Sequence, residues 1–249
     1  MKLRIFTMLA LIIIISGFFF SASAEEEKTP WSGEGEVGYF LTTGNTETSS
    51  LNAKLSINYE TSHWFNEAKF IAINNSEKIE NDDGSTKDKT SAEAYTFTDK
   101  AGYKFNENDY IYIAGAYEKD RFNGYDYQSM VSAGYGRRLF KNDKIMLKVE
   151  IGPGYRYDKL DSGEKNDEAT LRGFGKFEWN LTETSMFEEE LNVVYSSELT
   201  RTISVSSIKA QIVGALAMKL SYTFDHSSKV PAGTEKTDTI TALTLVYSF

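Results

Sequence analysis

Residues 239–249 read TITALTLVYSF, and this stretch decides the fold because its side chains alternate in character at every second position. The odd positions of its second half carry apolar or aromatic groups: Leu243, Leu245, Tyr247 and Phe249. A period of two is that of a β-strand whose two faces lie in different surroundings. The stretch therefore predicts a strand with one apolar face.

Eleven further segments of strand length lie upstream, all but 110–119 with two distinct faces, and the clearest alternation covers residues 51–60. Each is about as long as a strand that crosses a bilayer at a tilt, roughly 9–11 residues. Longer polar connections, such as 76–90 and 159–168, follow the odd strands, and short turns, such as 61–63, follow the even ones. This pattern predicts an all-β fold, a 12-stranded antiparallel up-and-down transmembrane β-barrel.

The first 24 residues differ from the rest and predict export. A basic start with Lys2 and Arg4 precedes an apolar run over 5–20, and Ala22-Ser23-Ala24 has the A-x-A form of a cleavage site. We expect a signal peptide over 1–24 and a barrel domain over 25–249. The alternative is a membrane helix, for which the run is a little short of roughly 20 residues.

The composition limits the class of protein. The sequence has no cysteine, which excludes disulfides, thiolate metal sites and a lipid-modified N-terminus. With 36 acidic against 27 basic residues, it lacks the basic surface that nucleic acid or anionic lipid would attract. Its 16 Phe, 15 Tyr and 3 Trp favour β-structure, and we expect no cofactor.

Alternation does not by itself say which face points inward, since a periplasmic β-sandwich shows the same pattern. Twelve strands closed into one ring leave a lumen too wide for side chains to fill, so an apolar interior would be hollow. In lipid the ring must close, because an open edge leaves backbone groups without partners. We therefore expect apolar side chains outside, water inside, and aromatic girdles at both rims.

The charged side chains that this parity turns inward form the candidate site. Two interpretations stay open: a pore whose charged walls select solutes, or a lumen closed by mutual ion pairs. Glu67, Lys69, Lys100 and Lys104 belong to the same face. The candidate lining residues are Glu34, Glu36, Lys54, Glu60, Lys148, Glu150, Arg156, Asp158, Arg172, Lys176, Glu178, Glu188, Glu190, Lys209 and Lys219.

Three positions conflict with the pattern. Asp99 and Glu189 fall on the lipid-facing parity, where a carboxylate is unfavourable, so we predict a β-bulge or shifted register nearby. Pro153 lies inside a strand, where it removes a ladder hydrogen bond. The two faces of residues 110–119 are too alike to orient that strand.

Catalytic signatures are missing from the sequence. It contains no G-x-S-x-G, HExxH or P-loop motif. Its two histidines, His63 and His226, are predicted at opposite rims, so they cannot share a site. The acidic stretches 80–84 and 158–168 lack EF-hand spacing, and we expect solvated loops rather than a metal site. We predict no catalytic residues.

Several motifs resemble a known family. They are the opening segments 38–39, 43–46 and 49–51, then DRFNGY at 120–125, AGYGR at 133–137 and GPGYRYD at 152–158. The chain resembles, over nearly the whole of 25–249, the YdiY-like salt-induced outer-membrane protein family (domain of unknown function 481). The resemblance implies an outer-membrane barrel, and the family offers no established substrate or catalytic residues.

The last strand also resembles the signal read by the machinery that assembles outer-membrane barrels, with Leu243, Leu245, Tyr247 and Phe249 as its apolar positions. We expect that machinery, outer-membrane lipid and lipopolysaccharide as partners of a monomer. The expected function is a narrow passive channel for small solutes, or an envelope component acting under ionic stress. The alternative is a non-conducting structural barrel whose loops meet surface molecules.

Overall fold

The computed structural model describes residues 29–43, 48–80, 86–121, 123–231 and 233–249. The predicted signal peptide, 1–24, lies outside these ranges. Within them there is no helix long and apolar enough to cross a membrane. The strands are β1 (Trp31–Thr43), β2 (Thr48–Glu60), β3 (Trp64–Glu80), β4 (Thr86–Lys104), β5 (Asp109–Asp120), β6 (Tyr125–Lys141), β7 (Ile145–Leu160), β8 (Lys165–Asn180), β9 (Ser185–Tyr195), β10 (Thr200–Val213), β11 (Leu216–Ser227) and β12 (Thr237–Ser248).

The twelve strands form one closed barrel in which each strand pairs antiparallel with its neighbours in sequence. β12 pairs with β1 in continuous register, with Leu243 opposite Tyr39. Gly33 and Phe249 exchange two backbone hydrogen bonds, of 2.8 and 2.9 Å, at the end of this seam. The predicted 12-stranded up-and-down barrel is confirmed, and the two-sheet sandwich is not what forms.

The barrel has two different ends. The turn end carries the short turns, such as 61–63 and 214–215, together with Phe249. The loop end carries the connections that follow the odd strands, such as 161–164 and 196–199.

The outward face is apolar and exposed, as the parity predicts. Leu243, Leu245, Tyr247 and Phe249 are 49%, 42%, 46% and 55% exposed, whereas Val246 between them is fully buried. Exposed apolar surface that encircles a protein requires an apolar surrounding. Large aromatic groups stand at both ends of this face: Trp31, Trp64, Phe105 and Trp179 at the turn end, and Tyr39, Tyr117, Tyr155 and Tyr195 at the loop end.

The connections at the loop end are shorter than expected. The predicted loop 159–168 is a four-residue connection, 161–164, because β7 runs to Leu160 and β8 begins at Lys165. The predicted loop 76–90 is likewise largely strand, since β3 runs to Glu80 and β4 begins at Thr86. Apolar alternation marks only the part of a strand that faces an apolar surrounding. The hydrogen-bonded ladder continues beyond it between polar residues.

The predicted backbone irregularity at Asp99 and Glu189 is wrong, because the register is regular on both sides of each residue. Donors on the adjacent strand satisfy the carboxylates instead. Asn66 Nδ2 donates to Asp99 Oδ1 at 2.9 Å. Ser204 Oγ donates to Glu189 Oε1 at 2.7 Å, and Ser206 donates to Oε2. In the described residues the register shifts lie elsewhere, at 75/76, 125/127, 138/140 and 211/213.

Pro153 is accommodated in mid-strand without a register shift. Its pairing with Leu171 of β8 is regular, whereas the pairing of β6 with β7 is interrupted between Ser132↔Gly154 and Tyr135↔Ile151. On the side of β6, Gly152 lies very close to the backbone of Ala133. A Cβ added to Gly152 would be only 2.1 Å from the Ala133 carbonyl oxygen. Glycine at this position allows the close approach of β6 and β7 beside the missing hydrogen bond.

Candidate functional site

The described residues of the inner face line two large cavities that lie one after the other along the barrel axis, and a smaller one of about 170 Å³ lies beside Phe65 and Tyr110 at the turn end. The turn-end cavity has a volume of about 650 Å³ and is lined by residues from every part of the ring, including Glu34, Glu60, Arg138, Lys148 and Arg172. The loop-end cavity has a volume of about 320 Å³. Its lining includes Glu118, Arg201 and Asp225. Both volumes are sufficient for water and small solutes.

Five charged side chains line both cavities and separate them: Lys54, Lys69, Glu188, Glu190 and Lys219. We call these five residues the belt. Lys69 Nζ on β3 lies 3.4 Å from Glu190 Oε2 on β9, six strands away around a ring of twelve, so this ion pair spans the full width of the lumen. In the described part of the chain, the two cavities are therefore separated by side chains rather than by backbone.

Ion pairs hold the belt on both sides of the ring. On one side, Glu36 Oε1 accepts from Lys54 at 2.9 Å and from Lys219 at 3.2 Å. On the other, Lys176 of β8 contacts Glu188 at 2.8 Å and Glu190 at 3.3 Å. Each belt charge thus has a partner of opposite sign close to the wall or across the lumen.

The wall of the turn-end cavity contains a second, more deeply buried cluster around Glu150. The Glu150 side chain is 0% exposed. It accepts hydrogen bonds from Lys100 Nζ at 2.8 Å, Arg172 Nη1 at 2.9 Å and Tyr110 Oη at 2.8 Å. The Phe174 ring lies beside the Arg172 guanidinium at 4.9 Å and the Lys100 ammonium at 5.3 Å. Buried charges of this kind are stabilised only when they are paired in this way.

Two more carboxylates of this cavity are shared between two cations each. Glu67 of β3 contacts Lys100 at 2.9 Å and, across the lumen, Lys148 of β7 at 3.0 Å. Glu60 of β2 contacts Lys104 at 2.7 Å and Arg138 of β6 at 3.0 Å. Because cations outnumber carboxylates here, removing one cation leaves its carboxylate with a remaining partner.

The loop-end cavity is organised differently, around one arginine. Arg201 of β10 donates to both oxygens of Glu118 on β5, at 3.0 and 3.2 Å. It also donates to both oxygens of Asp225 on β11, at 3.0 and 2.6 Å. One guanidinium thus serves two carboxylates in bidentate geometry.

The structure places all fifteen candidate lining residues on the inner face, where they line a cavity or are buried in its wall. Arg156 and Asp158 pair with each other and line neither cavity. The role of these residues in selectivity remains a prediction. The inward residues that sequence reasoning missed include Glu118, Arg138, Arg201 and Asp225.

The missed residues had weak signals. Glu118 belongs to the strand whose faces could not be oriented, and Arg201 lies outside the clear apolar alternation of its own strand, residues 208–212. Arg138 follows Gly134 and Gly136 on one face, so parity alone would have turned it inward. The inward Phe174 could not be anticipated, because its role is to lie against the cations of other strands.

The two histidines lie at opposite ends of the barrel, as predicted. His63 is in the turn between β2 and β3 and hydrogen bonds with Ser62 at 2.9 Å. His226, near the loop-end limit of β11, hydrogen bonds with Thr237 at 2.8 Å. Neither meets the other, and the described residues contain no group of three or more acidic or histidine side chains able to hold a metal ion.

Comparisons with solved structures identify the barrel type. The chain is similar to the NanC porin with a TM-score of 0.56 and 7% identity, covering 86% of this chain and 98% of that one. It is similar to the COG4313 outer-membrane channel from Pseudomonas putida F1 with a TM-score of 0.53 and 12% identity, covering 92% and 100%. At these identities the likeness concerns the fold, which is that of outer-membrane channels.

Sequence comparisons identify the family to which the chain belongs. The chain is 27% identical over 257 residues to the uncharacterized protein YdiY of Escherichia coli K12, covering 97% of this chain and 98% of that one. A family model described as a protein of unknown function, DUF481, matches residues 35–249. The chain therefore belongs to the DUF481 family.

Proposed function

We propose that this chain is exported, is assembled as a monomer in the outer membrane and acts there as a narrow passive channel for small solutes. The exposed apolar band and the porin-like fold support the location. By this proposal the turn end faces the periplasm and the loop end faces outward, as in barrels with short periplasmic turns. Leu243, Leu245, Tyr247 and Phe249 would be the positions that the assembly machinery contacts.

One observation carries the channel proposal: two cavities large enough for water and small solutes lie in line and are separated only by the belt. Lysine and glutamate side chains have several rotatable bonds, so they can move aside on the timescale of solute passage. A hydrated lumen lined by charges of both signs suits small polar solutes rather than large ones.

The direct test is electrical. The refolded mature protein is added to a planar bilayer, and current is recorded at stepped voltages. The channel proposal expects steady unit currents of uniform size. Silence at every voltage, with a barrel shown by circular dichroism to be folded, would contradict it.

A structural barrel is the second candidate, because several ion pairs join opposite walls of the lumen. Lys69–Glu190, Lys148–Glu67 and Arg201–Glu118 each connect strands that are not neighbours. In this case the pairs serve to stiffen the ring, and the loop end meets lipopolysaccharide. Binding of purified lipopolysaccharide by a silent barrel would favour this function.

We also propose that the protein serves the envelope under ionic stress and is not an enzyme. The first part rests on the family resemblance of the motifs and is tested by protein abundance in cells grown at low and high salt. Equal abundance would contradict it. The second part is supported by the separation of the two histidines, and hydrolysis of envelope lipid or polysaccharide by the purified protein would contradict it.

A further inference from the structure

The two cavities carry opposite charge. Apart from the belt, the turn-end cavity is lined by seven basic and five acidic side chains, and one of the five, Asp99, belongs to the outward face. Apart from the belt, the loop-end cavity is lined by two basic and seven acidic side chains. The seven are Glu36, Glu93, Glu118, Asp120, Asp225, Glu235 and Asp238.

The charge changes sign over a short distance. On β5, Ala114 lines the turn-end cavity and Glu118 lines the loop-end cavity. Four residues of strand correspond to about 13 Å. A single small ion that crosses the belt therefore moves from a favourable potential into an unfavourable one, whichever its sign.

The belt adds a second requirement. A solute that passes between Lys69 and Glu190 must separate their ion pair. A cation can replace Lys69 as the partner of Glu190, but it leaves the Lys69 ammonium unpaired. An anion can replace Glu190 as the partner of Lys69, but it leaves Glu190 with its 3.3 Å contact to Lys176 alone. Leaving one member of a pair without a partner in a confined site is unfavourable.

A solute with one positive and one negative group satisfies both requirements. Its carboxylate can bind Lys69 while its ammonium binds Glu190, so neither belt residue loses a partner. The same solute can lie along the axis with its cationic end toward the acidic loop-end cavity and its anionic end toward the basic turn-end cavity. Both ends then lie in favourable potentials.

We propose that the lumen preferentially passes small zwitterionic solutes, with the belt as the binding site that selects them. This inference rests on the proposed channel function. The belt positions Lys69 and Glu190 provide the two charge contacts, and the charge of the two cavities orients the solute.

The test compares four solutes of similar size in a swelling assay with proteoliposomes of the mature protein. Trimethylglycine is the zwitterion, choline its cationic relative, 3,3-dimethylbutyrate its anionic carbon analogue, and erythritol the neutral reference. We expect trimethylglycine to enter at least about fivefold faster than choline or dimethylbutyrate, since choline leaves Lys69 unpaired and dimethylbutyrate leaves Glu190 with Lys176 alone. Protein-free liposomes give the background rate.

Matched variants separate the belt from the rest of the barrel. Lys69→Gln with Glu190→Gln keeps the size and hydrogen-bonding capacity of the pair while removing both charges. We expect this double variant to lose the preference for trimethylglycine over the two ions, with each entry rate divided by that of erythritol for the same variant. The control, Glu198→Gln with Lys229→Gln, alters an ion pair of 2.6 Å whose residues lie in the connections 196–199 and 228–236 and line neither cavity, and it should keep the preference.

The outcomes distinguish this inference from the function on which it rests. If erythritol enters but trimethylglycine is no faster than the two ions, the zwitterion proposal is overturned and the channel stands. If the belt variant keeps the preference, the belt is not the selecting site. If no solute enters above background, the channel proposal fails and this inference fails with it.

Discussion

The two cavities of this barrel differ in how they hold their charges. In the wall of the turn-end cavity, carboxylates are shared between cations, and Glu150 is completely buried among Lys100, Arg172 and Tyr110. In the loop-end cavity one cation, Arg201, is shared between carboxylates, and the side chains are about one-fifth exposed. In both cavities the scarcer charge is shared between groups of the opposite sign. Cations are in excess at the turn-end cavity and carboxylates at the loop-end cavity, so one half of the lumen is basic and the other is acidic.

The largest expected effect comes from Glu150, the fully buried carboxylate in the wall of the turn-end cavity. Glu150→Leu leaves Lys100 and Arg172 without their buried carboxylate, and it should lower the free energy of unfolding by about 3–5 kcal/mol. Urea titration of the protein in lipid vesicles measures this value.

The matched control is Glu178→Leu in the same cavity. Glu178 is 30% exposed, and its partner Lys176 also contacts Glu188 and Glu190, so we expect a loss of no more than about 1 kcal/mol. Equal losses in the two variants would show that burial does not distinguish these charges.

The second effect concerns the boundary between the cavities. Lys69→Ser with Glu190→Ser removes the two side chains that span the lumen, and it should raise the unit conductance about two- to fivefold because the cavities then merge. Single-channel recording measures it. The corresponding serine variants of Glu198 and Lys229 serve as the control, and a belt variant with the wild-type conductance would mean that the belt does not limit flow.

The third and smallest effect tests the opposite signs of the two halves. Arg138→Gln with Lys148→Gln reduces the basic excess, yet Glu60 keeps Lys104 and Glu67 keeps Lys100. We expect the permeability ratio of potassium to chloride to rise about twofold. Reversal potentials in a potassium chloride gradient measure the ratio.

The mirror variant acts on the loop-end cavity. Glu93→Gln with Glu118→Gln reduces the acidic excess while Arg201 keeps Asp225. The same ratio should fall about twofold. Shifts in the same direction for both double variants would contradict the assignment of opposite charge to the two halves.

Much of this architecture could be predicted from sequence, because the relevant signals are local. The period of two assigned the strands and turned Lys54, Glu150 and Lys219 inward, since alternate side chains point to opposite faces. The loop-end boundaries were wrong because hydrogen-bonded pairing continues after apolar alternation stops, as it does in β7 up to Leu160.

The axial charge separation could not be predicted, because it depends on which residues lie at the same depth on different strands. The Lys69–Glu190 pair joins residues 121 apart in sequence, and nothing local connects them. The regular backbone at Asp99 and Glu189 could not be predicted for a similar reason. Their partners lie on adjacent strands, and only the register brings Asn66 and Ser204 within hydrogen-bonding distance.

The most direct test of the account is the current–voltage curve of single channels in about 0.1 M salt, where charges act over about 10 Å. Ser162→Cys, in the loop-end connection 161–164 of a chain without cysteine, allows a biotin–streptavidin block that reports orientation. With the loop end positive, potassium from the acidic cavity and chloride from the basic cavity both move toward the belt. The account predicts a larger current at this polarity, with the asymmetry vanishing in 1 M salt. A symmetric curve at low salt, or a larger current at the opposite polarity, would contradict it.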